Sequence, residues 1–164
     1  MAEKDDHAGK QEPRTFLLVV DNSEELTQAL RFACRRAVNT GGRIALLSVI
    51  EPAEFQHWLA VGERMQEEAR EEAEELLQVV ASTVKQRTGH TPVVFIREGN
   101  TREELIKVID EETDISLLVL GASTGPDGPG PIISYLLKEM AGTLRVPVTI
   151  VPGSLTDEQI YSIA

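Results

Sequence analysis

Leu117–Pro131, LLVLGASTGPDGPGP, is the stretch on which the fold turns. An aliphatic run ends in glycine and enters a loop where glycine and proline alternate. The helical pattern IISYLLKEMAGTL, residues 132–144, follows directly. In an open α/β sheet, ligands bind outside the carboxyl ends of the strands, where a glycine-rich turn feeds a helix N-terminus. A ligand site is therefore expected at residues 121–131.

The flanking sequence repeats the alternation of strand and helix. Phe16–Asp21 is a continuous apolar run ending in an acid, as a parallel strand buried on both faces should be. Asn22 or Ser23 is the expected N-cap of the next helix, with Asn22 and Glu25 at capping-box spacing. Leu26, Ala29, Leu30, Ala33 and Ala37 predict a helix from about Glu24 to Asn39, stopped by Gly41-Gly42. Arg43–Ile50 reads as the second strand and Pro52–Gly62 as an irregular connection. Met65, Ala69, Ala73, Leu76, Leu77, Val80 and Val84 then form one apolar helical stripe, with a run of glutamates on the flanks as a solvated face. Pro92–Arg97 is the third strand. Thr101-x-x-Glu104 reads as a capping box before a helix carrying Leu105, Ile106, Val108 and Ile109. Ile115–Leu120 and Val146–Val151 complete the strands, and Thr156-x-x-Gln159 is placed to cap one short turn in the tail.

This order predicts an α/β fold: a three-layer, open, parallel five-stranded sheet with helices on both faces. A strand order of 3-2-1-4-5 would set Asp21 and Gly121 across a topological switch point. At 164 residues the chain is expected to hold one domain, residues 15–153, between a disordered leader, 1–14, and a tail, 154–164.

Composition narrows the function classes. A formal net charge of −11 argues against binding nucleic acid, whose phosphates call for a basic patch. No run approaches the roughly 18 apolar residues of a membrane span, so no membrane partner is expected. The N-terminus lacks a secretory pattern, and a single cysteine, Cys34, suits a reducing compartment, so a cytoplasmic location is expected. Cys34 reads as a small buried hydrophobe, and His57 and Trp58 as local packing near the crevice. Ser23 and Ser48 have no base partner and no nucleophile elbow is present, so no catalytic residue is assigned. No cluster has metal-ligand spacing.

Four segments together resemble a universal stress protein domain, the UspA-like branch of the adenine-nucleotide α-hydrolase-like folds. They are VVDNSEE (19–25), RIALLSVIEP (43–52), EGNTREELIKVIDEETDISLLVLGAS (98–123) and RVPVTIVPG (145–153). The resemblance spans about residues 14–153. It implies, for nucleotide-binding members, G-x2-G-x9-G-[S/T] after strand four, an Asp after strand one near ribose and metal, and a strand-two Val backbone reading adenine. Gly121, Asp21 and Val49 match. Thr124 stands at the second glycine position with Gly125 beside it, and the closing pair falls on Ser134-Tyr135. Tyr135 would put a ring where phosphate oxygens need close backbone approach.

The loop chemistry points the same way. Pro126, Pro129 and Pro131 supply no N–H, residues 121–131 hold no Lys or Arg, and Asp127 adds negative charge. The surviving candidates for cofactor binding are Asp21, Val49, Gly121, Ser123, Thr124, Gly125 and Ser134. No cofactor is expected, with ATP and Mg as the alternative. The resemblance also implies a homodimer through strand five, an apolar edge carrying Val146, Val148 and Ile150; the alternative is a tail whose Leu155 and Ile160 cover that edge. The functional reading is a non-catalytic stress-response module with a degenerate nucleotide site. An ATP- or AMP-binding member with slow or no ATPase activity, and a small enzyme acting on another metabolite, are the alternatives.

Overall fold

Strands that are apolar at every position need cover on both faces, and the helices supply it. A computed structural model describes the backbone of residues 12–52 and 59–164 and the side chains of 12–52 and 63–164. His57, Trp58 and most of the leader lie outside the described residues. In chain order the elements are β1 (Thr15–Val19), α1 (Leu26–Thr40), β2 (Arg43–Ile50), α2 (Leu59–Thr88), β3 (Val93–Glu98), α3 (Thr101–Glu111), β4 (Ile115–Ala122), α4 (Pro131–Tyr135), β5 (Val148–Pro152) and α5 (Asp157–Ile163). All strand pairs are parallel, in the order β3-β2-β1-β4-β5. The expected fold class and strand order are thus those of the structure.

Side chains alternate between two core layers, as the two-residue period of a strand requires. Phe16, Leu18 and Val20 face one layer with Ile44 and Leu46, under α1 and α2. Leu17 and Val19 face the other with Ala45 and Leu47, under α3 and α4. α1 and α4 therefore cover opposite faces, and the chain leaves adjacent strands β1 and β4 in opposite directions. That divergence opens the crevice.

Several element ends differ from the sequence reading. β1 stops at Val19 and α1 begins at Leu26, and the Asn22–Glu25 box does not form: Glu25 is the N-cap and makes no side-chain cap bond. Asp21 wins the local competition, its Oδ1 accepting from the Ser23 N–H at 3.0 Å and from the Ser23 hydroxyl. α2 starts at Leu59, so the last part of the expected connection is helical. Its stripe is fully buried only at Leu77, Val80 and Val84, while Met65 is 40% exposed. The cap of α3 is Asn100, whose side chain accepts from the Arg102 and Glu103 N–H groups; Thr101 is the first helical residue. β4 runs on to Ala122 because Gly121 and Ala122 find partners in Val151 and Pro152.

The helix after the glycine-proline loop is not uniform. α4 gives way to a π-helical turn over Leu136–Met140, which keeps Leu136 in the core and leaves Leu137 61% exposed. Val146 lies before β5 and is buried in the α3–α4 layer, which removes its side chain from the expected edge.

Residues 154–164 are built into the same core. The Thr156–Gln159 capping box forms as expected, with both bonds present. Ile160 is buried and Leu155 packs into the layer under α1, away from the edge of β5, where Ile150 is 40% exposed. Arg35 stacks on the Tyr161 ring at 3.8 Å, and Arg31 pairs with Asp157.

Cys34 lies in the core layer under α1 at 2% exposure, and burial pushes its thiol up to about 11 against the opposing pull of Arg87. Alkylation at pH 8 should therefore be at least ~100-fold slower in the folded protein than in denaturant, since the thiolate is the reactive form. Equal rates in the two conditions would show that α1 opens readily.

Candidate ligand-binding site

The floor of the crevice is set by Gly121. A Cβ there would lie 2.5 Å from the Glu25 carbonyl oxygen and 2.9 Å from its carbonyl carbon, so the first turn of α1 rests directly on β4. Gly153 makes a second close approach, a Cβ there meeting the Ala122 oxygen at 2.8 Å. These glycines seat α1 against the sheet; Gly121 is first of all a packing residue.

Two adjoining cavities open at the carboxyl ends of the strands. The smaller, about 70 Å³, lies between Asp21, Glu25 and Gly121 on one side and Pro129–Ile133 on the other. The larger, about 420 Å³, is bounded by Asp21, Val49, Glu51, the start of α3 at Asn100–Arg102, and Pro131-Ile132. Val19, Asp21, Pro131 and Ile132 border both.

Of the residues expected at the site, Asp21, Val49 and Gly121 come together here. Ser123, Thr124, Gly125 and Ser134 line neither cavity. The Ser123 N–H donates to the Pro129 carbonyl at 3.1 Å, and the Ser123 hydroxyl accepts from the Gly125 N–H at 3.1 Å. The Ser134 N–H is spent on the Gly130 carbonyl at 3.1 Å. Gly130, at φ 117°, turns the chain into Pro131 at the first position of α4, a backbone region only glycine adopts freely. The loop is thus pinned to itself through the Ser123 and Gly125 N–H groups, and its prolines offer no donor. A triphosphate cradle built from backbone N–H groups does not fit these residues.

Glu51, Asn100, Arg102 and Ile132 carry no signal in the sequence that places them at the site, and Thr101 reads there only as a cap. Topology places them: Glu51 follows β2 and Asn100–Arg102 follow β3, so both loops open at the same end of the sheet as Asp21. Glu51 Oε1 accepts from the Thr101 N–H at 3.0 Å and its hydroxyl at 2.9 Å. These bonds, backbone first, hold the Glu51 carboxyl below its ordinary value, with a smaller contribution from the Arg102 charge. The charged residues bordering the two cavities are Asp21, Glu25, Glu51 and Arg102, so Arg102 is the one cation there among the described residues. Such a balance opposes a polyanion. Among the described residues, no three His, Cys, Asp or Glu side chains are grouped to hold a metal ion.

An open parallel sheet with a crevice at its switch point is the architecture of a nucleotide-binding-like α/β protein. The family model for the universal stress protein family matches residues 13–152, and the chain belongs to that family. No curated protein sequence matches the chain. Among solved structures, UspA from Lactobacillus plantarum is similar at 19% identity and a TM-score of 0.71, over 84% of this chain and 97% of that one. A universal stress family protein from Burkholderia pseudomallei is similar at 21% identity and 0.66, over 84% and 95%. The universal stress protein from Archaeoglobus fulgidus, solved in complex with dAMP, is similar at 18% identity and 0.58, over 84% and 97%. No helix among the described residues is long and apolar enough to cross a membrane.

Proposed function

We propose that this protein is a non-catalytic universal stress module whose crevice takes a nucleoside or nucleoside monophosphate and has lost the means to hold Mg-ATP. The observation that carries this reading is the 123–130 loop, closed on itself through Ser123, Gly125 and Pro129. The larger cavity, about 420 Å³, is in the range of small-molecule sites. The dAMP complex of the Archaeoglobus protein supports a monophosphate as the ligand class on this fold. A cytoplasmic regulatory role as a homodimer belongs to the same reading. Its dimer surface is the β5 edge, with Val148 and Ile150 beside exposed Leu137.

Thermal unfolding with adenosine, AMP, Mg-ATP and Mg-GTP tests the ligand assignment. Ligand at about a hundred times its Kd stabilises by about 2.7 kcal/mol, a rise of roughly 5–10 °C in Tm for a domain of this size. AMP should raise Tm and Mg-ATP should raise it less. A larger rise with Mg-ATP, or release of phosphate from it, would overturn the reading.

A further inference from the structure

We propose that Arg102 is the anion-recognising residue of the crevice, taking over from the glycine-proline loop the selection of a ligand that carries one phosphate or similar acidic group. This rests on the nucleoside-type reading above and assigns the part of the site that distinguishes a charged ligand from a neutral one.

At the start of α3 the backbone donors that border the larger cavity are already committed. Asn100 Oδ1 accepts from the N–H groups of Arg102 at 3.1 Å and Glu103 at 3.2 Å, and Glu51 accepts from Thr101. The N-terminus of α3 therefore has little left to offer an anion, and the 123–130 loop is closed on itself. The charged donor at the cavity wall is the Arg102 side chain, which makes no ion pair or side-chain hydrogen bond among the described residues.

Its position is nonetheless defined. The guanidinium lies over the Tyr135 ring, 5.3 Å from the centroid. Arg102 thus reaches from α3 towards α4, which supplies the opposite wall of the cavity through Pro131 and Ile132. A cation held by a ring face keeps its N–H donors free, so the stack orients the planar fork without consuming it. This gives Tyr135 a use. Its ring, packed against the α3–α4 layer, steadies the charge that replaces the amides of the loop.

One guanidinium in a cavity shared with Asp21 and Glu51, next to a second cavity bordered by Glu25, can offset a single acidic group but not a chain of phosphates. A planar fork also matches the oxygens of a phosphate or carboxylate in two bonds, which a lysine cannot do.

Calorimetric titration of the full chain with adenosine and AMP, in wild type, Arg102→Gln, Arg102→Lys and Tyr135→Leu, tests the assignment. AMP should bind wild type about tenfold tighter than adenosine, the ratio expected from roughly 1.4 kcal/mol of charge-assisted bonding. Arg102→Gln should bring the ratio to about one, Arg102→Lys should restore part of it, and Tyr135→Leu should fall between. Raising the salt should shrink the wild-type ratio and leave that of Arg102→Gln flat. A wild-type ratio kept in Arg102→Gln overturns the role of Arg102 and leaves the nucleoside reading standing. Absence of binding by both ligands to wild type at millimolar concentration overturns both.

Discussion

Replacing Gly121 by alanine is expected to destabilise the protein by about 3 kcal/mol or more, a fall in Tm of roughly 6–12 °C. The added carbon would sit 2.5 Å from the Glu25 carbonyl oxygen, and that contact is with backbone, which cannot rotate away as a side-chain tip can. Relief requires the first turn of α1 to lift from β4. α1 packs under Leu18, Val119 and Val151 in one continuous layer, so the shift would spread through the core. Urea unfolding of Gly121→Ala measures this; a loss under about 1 kcal/mol would show that the Glu25 turn yields easily. A consequence concerns ligand studies: a bulky residue at position 121 disturbs α1 before any ligand is involved, so loss of binding in such a variant would not identify a phosphate contact.

The second large effect is expected at Arg145. Its guanidinium donates to the Ile109 carbonyl from Nε at 2.9 Å and Nη2 at 2.5 Å, and to the Glu112 and Ile115 carbonyls at 3.0 Å. These oxygens belong to the last turn of α3, to the turn after it, where the Glu112 carbonyl also accepts from the Ile115 N–H, and to the first residue of β4; a positive charge is favoured at the helix end. Arg145→Met keeps the aliphatic stem and removes every donor, and should cost about 2 kcal/mol, water replacing part of the loss at this exposed side chain. Arg145→Lys should recover less than half, because one ammonium cannot span three carbonyls. A methionine variant as stable as wild type would mean that the α3–β4 turn holds without this clamp.

The sequence made the sheet and the two core layers legible because both arise from short-range periodicity. β2 runs over Arg43–Ile50 as read, and Leu105, Val108 and Ile109 are buried on α3 as their spacing requires. Caps were harder. Asp21 and Asn22, or Asn100 and Thr101, are neighbouring side chains that can each serve a helix start, and the winner depends on the turn geometry. At α3, Thr101 joined the helix because Glu51, fifty residues away, took its hydroxyl and N–H. Val146 shows the same limit at the other edge of the sheet: its place in an apolar run suggested a strand, while the α3–α4 layer drew its side chain inward.

By itself, the sequence determined the parallel α/β architecture, the family, and the loss of N–H donors where prolines interrupt the loop after β4. These follow from residue identity and from contacts within a turn or a strand. Tertiary structure alone decided which loops share the crevice, that Gly121 is occupied with seating Glu25, and that Arg102 lies on Tyr135. The physical reason is distance along the chain. Strand order brings the ends of β1, β2, β3 and β4 side by side, and the charges and donors that meet there come from segments whose proximity no local pattern encodes.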